Sequence, residues 1–308
     1  MATLGIDLGG TFARAAVVDE AGRILAASRA ALGERSPPAV VECIGRAAEE
    51  ALRLAGVPVR AVGVGAAAQI PSEGRIAVAP NLGWRDVPLG ALLQARLGRP
   101  VRLVNDLSAA AWGELRVGAG RGAQDLLVVF VGSGVGSAIV ANGQLLQGAN
   151  GVGAELGHVK AVPGGRACGC GEKGCLEAYA GGHHLVAQAR ELLQRGASPA
   201  LARLCAEDPA RLTPVHLEQA AREGDAEATR VHAQAAHLLA LAVANQVTVL
   251  NPARLILGGG VLTHCPGLRE RVLQGVQDWS GRTAREGLLV LDAELGDDSG
   301  LIGAALLA

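Results

Sequence analysis

The chain has 308 residues, about two domains' worth, and half of them are hydrophobic, so it can bury a sizeable core and is not intrinsically disordered. Its formal net charge of −1, with no block of like charge, argues against a nucleic-acid partner. The N-terminus lacks the pattern of a signal peptide, and the apolar stretch His237–Pro252 is interrupted by Asn245 and Gln246. We therefore expect a cytoplasmic protein without a membrane span.

The first residues predict three strands in succession. Thr3–Leu8 is an apolar run that ends at Gly9-Gly10-Thr11, Ala13–Val18 is a second run, and Ile24–Ala27 begins a third. Short apolar runs separated by glycine-rich or acidic turns are typical of antiparallel strands.

The same layout returns near the middle of the chain. Leu126–Val131 is followed by Gly132-Ser133-Gly134, then by Ser137–Ala141, an Asn-Gly hairpin turn and Gln144–Leu146. A glycine turn at the same place in each copy predicts an internal structural repeat.

Helical and strand patterns alternate through the rest of the chain, which indicates α/β layers. With the repeat, they predict two related α/β domains with a cleft between them. We place the smaller domain at residues 1–118 plus 296–308 and the larger at residues 119–295. The expected helices are Val40–Ala55, Leu89–Leu97, one from Leu107, one near Leu176–Arg195, a stretch from Pro214 to Leu250, Gly267–Trp279 and a closing helix.

The glycine turns suggest phosphate binding, because backbone N–H groups without a neighbouring Cβ can approach an anion. Asp7 adds a carboxylate that could hold a hydrated Mg²⁺, and Thr11 and Ser133 add hydroxyls. Ordinary hairpin connection is the alternative for any single turn. Because three such runs follow strands, we predict a phosphate-binding site, with the candidate residues Asp7, Gly9, Gly10, Thr11, Gly132, Ser133, Gly134, Gly258, Gly259 and Gly260.

Three of the six cysteines lie within eight residues, with a histidine upstream, in the spacing His158-x9-Cys168-x-Cys170-x4-Cys175. One imidazole and three thiolates complete a tetrahedral zinc set and leave no position for an activated water. Three cysteines cannot pair internally, so a disulfide framework fits poorly. We predict a structural zinc.

Asn105 and Asp106 end the predicted strand Val101–Asp106, at an end where α/β proteins bind ligands. A carboxylate there can accept a proton from a substrate hydroxyl during phosphoryl transfer. Capping of the following helix is an equally good explanation for an aspartate at this position.

The motifs DLGGT, GSGVG and LILGGG resemble those of the superfamily of sugar kinases, actin and Hsp70. ELGHV followed by CGCGEKGCLEAYA is similar to the ROK family of bacterial sugar kinases and sugar-responsive repressors, and the likeness runs from Gly5 to about Ala304. It implies duplicated ribonuclease-H-like domains of the actin/hexokinase type. It also implies Asp106 as general base, and as sugar contacts Asn81, Asn105, Asp106, Glu155, His158 and Glu177.

The resemblance implies an ATP-dependent hexose kinase with Mg²⁺, structural Zn²⁺ and a homodimeric or homotetrameric state. Glucose is the expected substrate, because CLEAYAGG is most similar to glucokinase members. The alternative substrates are N-acetylglucosamine, N-acetylmannosamine, mannose and fructose. The sequence Ala67-Ala68-Gln69 stands where many family members have Pro-Gly, and this difference bears on which hexose is preferred. The alternative from another functional class is a sugar-sensing regulator without catalytic activity. Family regulators carry a helix-turn-helix before the first glycine motif, which begins here at residue 5.

Overall fold

The computed structural model describes residues 1–71, 74–206 and 208–308, and strands alternate with helices along them. The strands are β1 (Ala2–Leu8), β2 (Phe12–Val18), β3 (Ile24–Ala31), β4 (Val59–Ala66), β5 (Ile76–Ala79), β6 (Trp84–Val87), β7 (Val101–Asn105), β8 (Leu126–Val131), β9 (Val135–Ala141), β10 (Gln144–Leu145), β11 (Arg254–Gly258) and β12 (Leu289–Asp292). The helices are α1 (Pro37–Ala55), α2 (Leu89–Leu97), α3 (Asp106–Val117), α4 (Glu177–Ala180), α5 (Gly182–Gln194), α6 (Pro199–Leu204), α7 (Pro214–Arg222), α8 (Ala226–Leu250), α9 (Gly260–His264), α10 (Pro266–Trp279) and α11 (Ser299–Leu307).

Two five-stranded sheets repeat one strand order. The first is β3-β2-β1-β4-β7 and the second is β10-β9-β8-β11-β12, so in each the order by position is third, second, first, fourth, fifth. In the first sheet β1 runs antiparallel to β2 and parallel to β4, and β4 runs parallel to β7. The predicted duplication of an α/β sheet is confirmed.

The chain forms two compact units. Unit 1 comprises residues 1–126, 138–154 and 292–308, and unit 2 comprises residues 127–137 and 155–291. The domain boundaries expected from the sequence, and the expected cleft, stay predictions.

In unit 1, α11 packs against the first sheet at backbone distance. A Cβ on Gly5 of β1 or Gly63 of β4 would collide with the carbonyl oxygen of Leu301 or Ala304, both in α11. A Cβ on Gly303 would likewise strike the carbonyl oxygen of Ala109 in α3. Glycine is required at these positions because only a bare Cα lets the closing helix settle between the sheet and α3.

A buried carboxylate ties α3 to the segment that leads into α11. Glu114 is 0% exposed, and its oxygens accept hydrogen bonds from the backbone N–H groups of Ala119 (2.8 Å), Glu294 (3.2 Å) and Leu295 (2.9 Å). Three donors offset the cost of burying the charge.

Two expected helices are broken where the chain needs a turn. The helix expected near Leu176–Arg195 divides into α4 and α5 at Gly181, and the stretch expected from Pro214 to Leu250 divides into α7 and α8 around Gly224. Gly224 has φ +87°, a conformation that glycine adopts at low cost. The β5–β6 hairpin was not expected, because its strands are only four residues long.

Helix α8 is long and apolar enough to cross a membrane by length and composition, with a mean hydropathy of 1.3 over 18 residues. The apolar stretch noted in the sequence thus belongs to a longer helix, which begins at Ala226 and has 25 residues. Its buried stripe runs from Ala228 to Val247 and packs against α10. A core helix meets the same criteria, so this is weak evidence for a membrane span.

Glu114→Gln should lower the free energy of unfolding by about 3 kcal/mol, because an amide would point its own N–H group at buried backbone donors. Chemical denaturation of the full chain measures this change. Glu50→Gln is the control, since the Glu50–Arg53 pair is exposed and should contribute little. Equal stability of the two variants would contradict a structural role for Glu114.

Candidate functional site

In unit 1, the parallel register of three strands aligns the predicted catalytic residues. Leu8 on β1 is paired with Ala66 on β4, which is paired with Asn105 on β7. Asp7 and Asp106 stand next to this row, on either side of β4. The carboxyl ends of adjacent parallel strands share one sheet edge, which is where open α/β sheets bind ligands.

Asn105 caps α3 and fixes its first turn. Its Oδ1 accepts hydrogen bonds from the N–H groups of Leu107 (2.9 Å) and Ser108 (3.2 Å). Asp106 is the first residue of the helix, and its Oδ1 lies 2.9 Å from the Leu107 nitrogen. The cap is therefore Asn105, and the alternative interpretation of Asp106 as the cap is wrong.

The loop that departs from the family pattern contacts this cap directly. Asn105 Nδ2 donates to the carbonyl oxygen of Ala68 at 3.3 Å. The loop is itself paired with β5, since the Gln69 N–H group donates to the carbonyl oxygen of Val78 at 2.9 Å. The Ala67-Ala68-Gln69 departure thus lies against a predicted sugar contact.

Asn81 lies beside the first glycine turn. It is in the short 3-10 helix Pro80–Leu82, and a Cβ on Gly10 would lie 3.3 Å from the Asn81 Cβ. Arg35 Nη1 donates to the Asn81 carbonyl oxygen at 3.0 Å. The structure therefore brings this predicted sugar contact next to the predicted phosphate turn.

Asp7, near the end of β1, lies close to two carboxylates, Asp297 and Asp298, that precede α11. Burial raises the pKa of Asp7, the Arg14 guanidinium opposes the rise, and the charges of Asp298 and Asp297 add to it. Arg14 Nη1 lies 3.8 Å from Asp7 Oδ2 and donates to the Asp297 carbonyl oxygen at 2.6 Å, and Arg14 also pairs with Asp298. Arg14, which belongs to none of the sequence motifs, stands directly opposite Asp7 in the β1–β2 register.

The first turn of α11 lies close to the Asp7 carboxylate and to the backbone of Asp106. A Cβ on Gly300 would be 4.0 Å from Asp7 Oδ1 and 3.8 Å from the Asp106 carbonyl oxygen. Unit 1 therefore gathers Asp7, the Gly9–Thr11 turn, Asn81, Asn105 and Asp106 near one sheet edge.

In unit 2, the second glycine turn is held by the start of α5. The N–H groups of Gly182 and His183 donate to the carbonyl oxygens of Gly132 and Ser133, each at 2.9 Å. The third glycine run adjoins it, since a Cβ on Gly259 would lie 2.5 Å from the Val131 carbonyl oxygen. The two predicted phosphate turns of this unit, Gly132–Gly134 and Gly258–Gly260, are thus neighbours.

The four predicted zinc ligands converge, with ligand atoms all within 4.8 Å of one another. His158 Nδ1 lies 3.8 Å from Cys168 Sγ, and Cys170 Sγ lies 3.8 Å from Cys175 Sγ. Zn–S bonds of about 2.3 Å in a tetrahedron place two sulfurs about 3.8 Å apart. The donor types and these two separations are therefore compatible with a tetrahedral zinc.

Glu177 links the cysteine cluster to the second glycine turn. Its Oε2 accepts from the Val135 N–H group at 3.0 Å, and its Oε1 lies 3.7 Å from Cys168 Sγ. A Cβ on Gly134 would collide with Oε2. His184, which lies outside the predicted zinc ligands, forms a group with Cys168 and Glu177 whose ligand atoms lie within 4.8 Å of one another.

Glu155 lies near the same cluster. Burial raises its pKa, His158 opposes the rise and the Glu177 charge adds to it. A carboxyl group with a raised pKa near a histidine is typical of functional sites. The assignment of Glu155, His158 and Glu177 to sugar binding stays a prediction.

Comparison with known proteins places this geometry in a family. The ROK family model matches residues 3–308. A glucokinase of Streptomyces coelicolor is 36% identical over 310 residues, covering 99% of this chain and 97% of that protein.

The chain is also similar to solved structures of ROK family proteins. The chain resembles a ROK family glucokinase of Streptomyces griseus in complex with glucose and AMPPNP, with a TM-score of 0.84, 36% identity and coverage of 100% and 99% of the two chains. It also resembles a ROK hexokinase of Thermus thermophilus, with a TM-score of 0.84, 35% identity and coverage of 100% and 98%. The family and the fold expected from the sequence are confirmed.

Asp7→Asn should raise the melting temperature at pH 7, because the surroundings of Asp7 disfavour its ionised form. Because the pKa of Asp7 is raised above its usual 3.8, the folded protein binds more protons than the unfolded chain. The free energy of unfolding therefore falls as pH rises from 3.8 through the raised pKa. The gain of the variant should shrink as pH falls toward 3.8, and thermal denaturation at several pH values measures it. A variant less stable than the parent at every pH would contradict this account, and exposed Asp278→Asn is the control.

Proposed function

Because the chain belongs to the ROK family, we propose that it is an ATP-dependent glucokinase, which transfers the γ-phosphoryl group of ATP to the 6-hydroxyl of glucose. Its likeness to glucokinases extends over nearly the whole chain. The observation that carries the proposal is the position of Asp106, which adjoins the row of strand ends Leu8, Ala66 and Asn105 that Asp7 also adjoins. A kinase needs a base and a phosphate-binding turn near each other.

Asp106 is the general base of the proposed reaction. Its carboxylate accepts the proton of the 6-hydroxyl as that oxygen forms a bond to the γ-phosphorus and the bond to the bridging oxygen of ADP breaks. Asn105 holds Asp106 in place by capping α3, and its amide is the proposed contact to a neighbouring sugar hydroxyl. Asn81 is proposed as a further hexose contact.

The glycine turns are the proposed ATP phosphate contacts, with Thr11 and Ser133 supplying hydroxyls. Asp7 suits a hydrated Mg²⁺, because the carboxylates of Asp297 and Asp298 add to its negative charge. When bound, Mg²⁺ would neutralise charge on the phosphates.

In unit 2, Glu155, His158 and Glu177 are the proposed hexose contacts. His158 presents Nδ1 to the cysteines, so Nε2 is the nitrogen proposed for the sugar. Glu177 already accepts a backbone hydrogen bond from Val135, which holds its carboxylate in one orientation. A group whose rotamer is fixed in this way loses little entropy on binding.

Glucose is the proposed substrate among several hexoses. The contact between Asn105 and Ala68 gives a physical route by which the Ala67-Ala68-Gln69 loop alters the preference. Because the proposed hexose contacts are polar side chains, a hexose that leaves one of them unpaired should be a poorer substrate. Activity on mannose, fructose, N-acetylglucosamine and N-acetylmannosamine should therefore be measured beside glucose.

The chain is also proposed to form a homodimer or homotetramer. Unit 2 exposes large apolar side chains at Leu241, Val249 and Trp279, and Val249 is 76% exposed. Apolar side chains of this size favour burial at an interface. Sedimentation equilibrium distinguishes these states from a monomer, which would contradict the proposal. Cytoplasmic location stays a prediction.

A structural zinc is proposed at His158, Cys168, Cys170 and Cys175. The purified protein should hold one zinc per chain by elemental analysis, and Cys175→Ser should lose it, because zinc needs its thiolate ligands. Cys43→Ala is the control, since Cys43 lies outside the cluster. Full zinc content in Cys175→Ser would contradict the assignment.

Asp106→Ala should lower kcat for ATP and glucose by about 10²- to 10⁴-fold, because the 6-hydroxyl loses its base. Coupled measurement of ADP release gives the rate. Asp278→Ala should keep the parent rate, since Asp278 is exposed on α10. Undiminished turnover in Asp106→Ala would remove Asp106 as base even if the protein is a kinase.

A further inference from the structure

The backbone of the cysteine loop, residues 158–175, places Lys160 opposite Cys175. The two residues form an isolated antiparallel bridge. It is framed by hydrogen bonds from the Val162 N–H group to the Gly174 carbonyl oxygen (3.1 Å) and from the Leu176 N–H group to the Val159 carbonyl oxygen (3.0 Å). Side chains directly opposite each other in such a bridge lie on one face. The backbone pairing therefore directs the Lys160 side chain toward Cys175, independently of its rotamer.

The ammonium group contacts the sulfur. Lys160 Nζ lies 3.3 Å from Cys175 Sγ, and a second contact of 3.6 Å joins it to Glu172 Oε2. Cys175 is 0% exposed, whereas the Lys160 side chain is 44% exposed. The lysine thus spans from solvent to a sulfur that water does not reach.

The charge of the proposed zinc centre gives this contact a purpose. Three thiolates, a neutral imidazole and Zn²⁺ sum to a net charge of −1. Burying that charge at Cys175 is costly unless a cation or a hydrogen-bond donor compensates for it. The Lys160 ammonium provides both.

The composition of the chain singles out this residue. Of the 28 basic residues, 26 are arginine, and the two lysines, Lys160 and Lys173, both lie in or next to the cysteine loop. An ammonium is a compact point charge with rotatable donors, which suits one sulfur better than a planar guanidinium fork. Lys173 is exposed and its backbone is paired with Ala167, so it is a natural control.

We propose that Lys160 is a positioning residue of the zinc centre, which donates a hydrogen bond to the Cys175 thiolate and neutralises the charge of the zinc–thiolate group. Lys160 thereby sets zinc affinity and the electron donation of that sulfur. The inference rests on the proposed zinc centre and is independent of the identity of the sugar.

Chelator competition on the full chain measures the zinc dissociation constant of the parent, Lys160→Met, Lys160→Arg and Lys173→Met. Loss of an outer hydrogen-bond partner typically weakens metal binding about 10- to 100-fold. Lys160→Met should therefore bind zinc at least about tenfold more weakly. Lys160→Arg should recover most of the affinity, and Lys173→Met should match the parent.

Cobalt substitution supplies a readout that a general loosening of the loop would not move. Without the hydrogen bond the Cys175 sulfur becomes more electron-rich, so the sulfur-to-cobalt charge-transfer band of Lys160→Met should shift to lower energy. Lys173→Met should leave the band unchanged.

An affinity of Lys160→Met within twofold of the parent, with an unshifted band, would overturn the inference. Equal weakening in Lys160→Met and Lys173→Met would also overturn it, because the effect would then belong to the loop. A parent protein that binds no zinc would instead refute the zinc centre itself, and the glucokinase activity is measured separately from both.

Discussion

The parallel register of β1, β4 and β7 is the constraint on which the chemistry of unit 1 depends. Hydrogen bonds between parallel strands hold them about 4.8 Å apart, so the ends of β1 and β7 are about two strand spacings from each other. Asp7 precedes one of these ends and Asp106 follows the other. The close fit of α11 against Gly5 of β1 and Gly63 of β4 leaves little room for these two strands to shift.

In unit 2 the predicted site residues are held by side-chain contacts around the cysteine cluster, whereas in unit 1 they are held by the register of a sheet. The loop from His158 to Cys175 is rich in glycine, and glycine-rich backbone has a high entropy that must be lost on folding. Zinc ligation offsets this cost in the proposed holoprotein. Since Glu177 contacts both Cys168 and the Val135 N–H group, order at the metal would extend to the second glycine turn. The metal would then support phosphate binding without touching a substrate.

The strands, the glycine turns and the cysteine cluster were predictable because each has a local signature. Apolar runs ending at glycine mark β1 and β8 within a residue of their observed bounds. Contacts between distant segments leave no such signature, which is why the link from Glu177 to Val135 and the lysine opposite Cys175 were missed. The helix cap was ambiguous for another reason, since Asn and Asp are equally good caps and only the backbone geometry separates them.

Glucose binding and single-turnover phosphoryl transfer in Asp106→Asn test the central claim most directly. The asparagine keeps the shape of the side chain and its contact to Leu107 but cannot accept the proton. The account predicts a glucose dissociation constant within about threefold of the parent, by calorimetry, and a transfer rate lowered at least about 100-fold. Loss of glucose binding in proportion to the loss of rate would contradict the base assignment and leave Asp106 as a substrate ligand only.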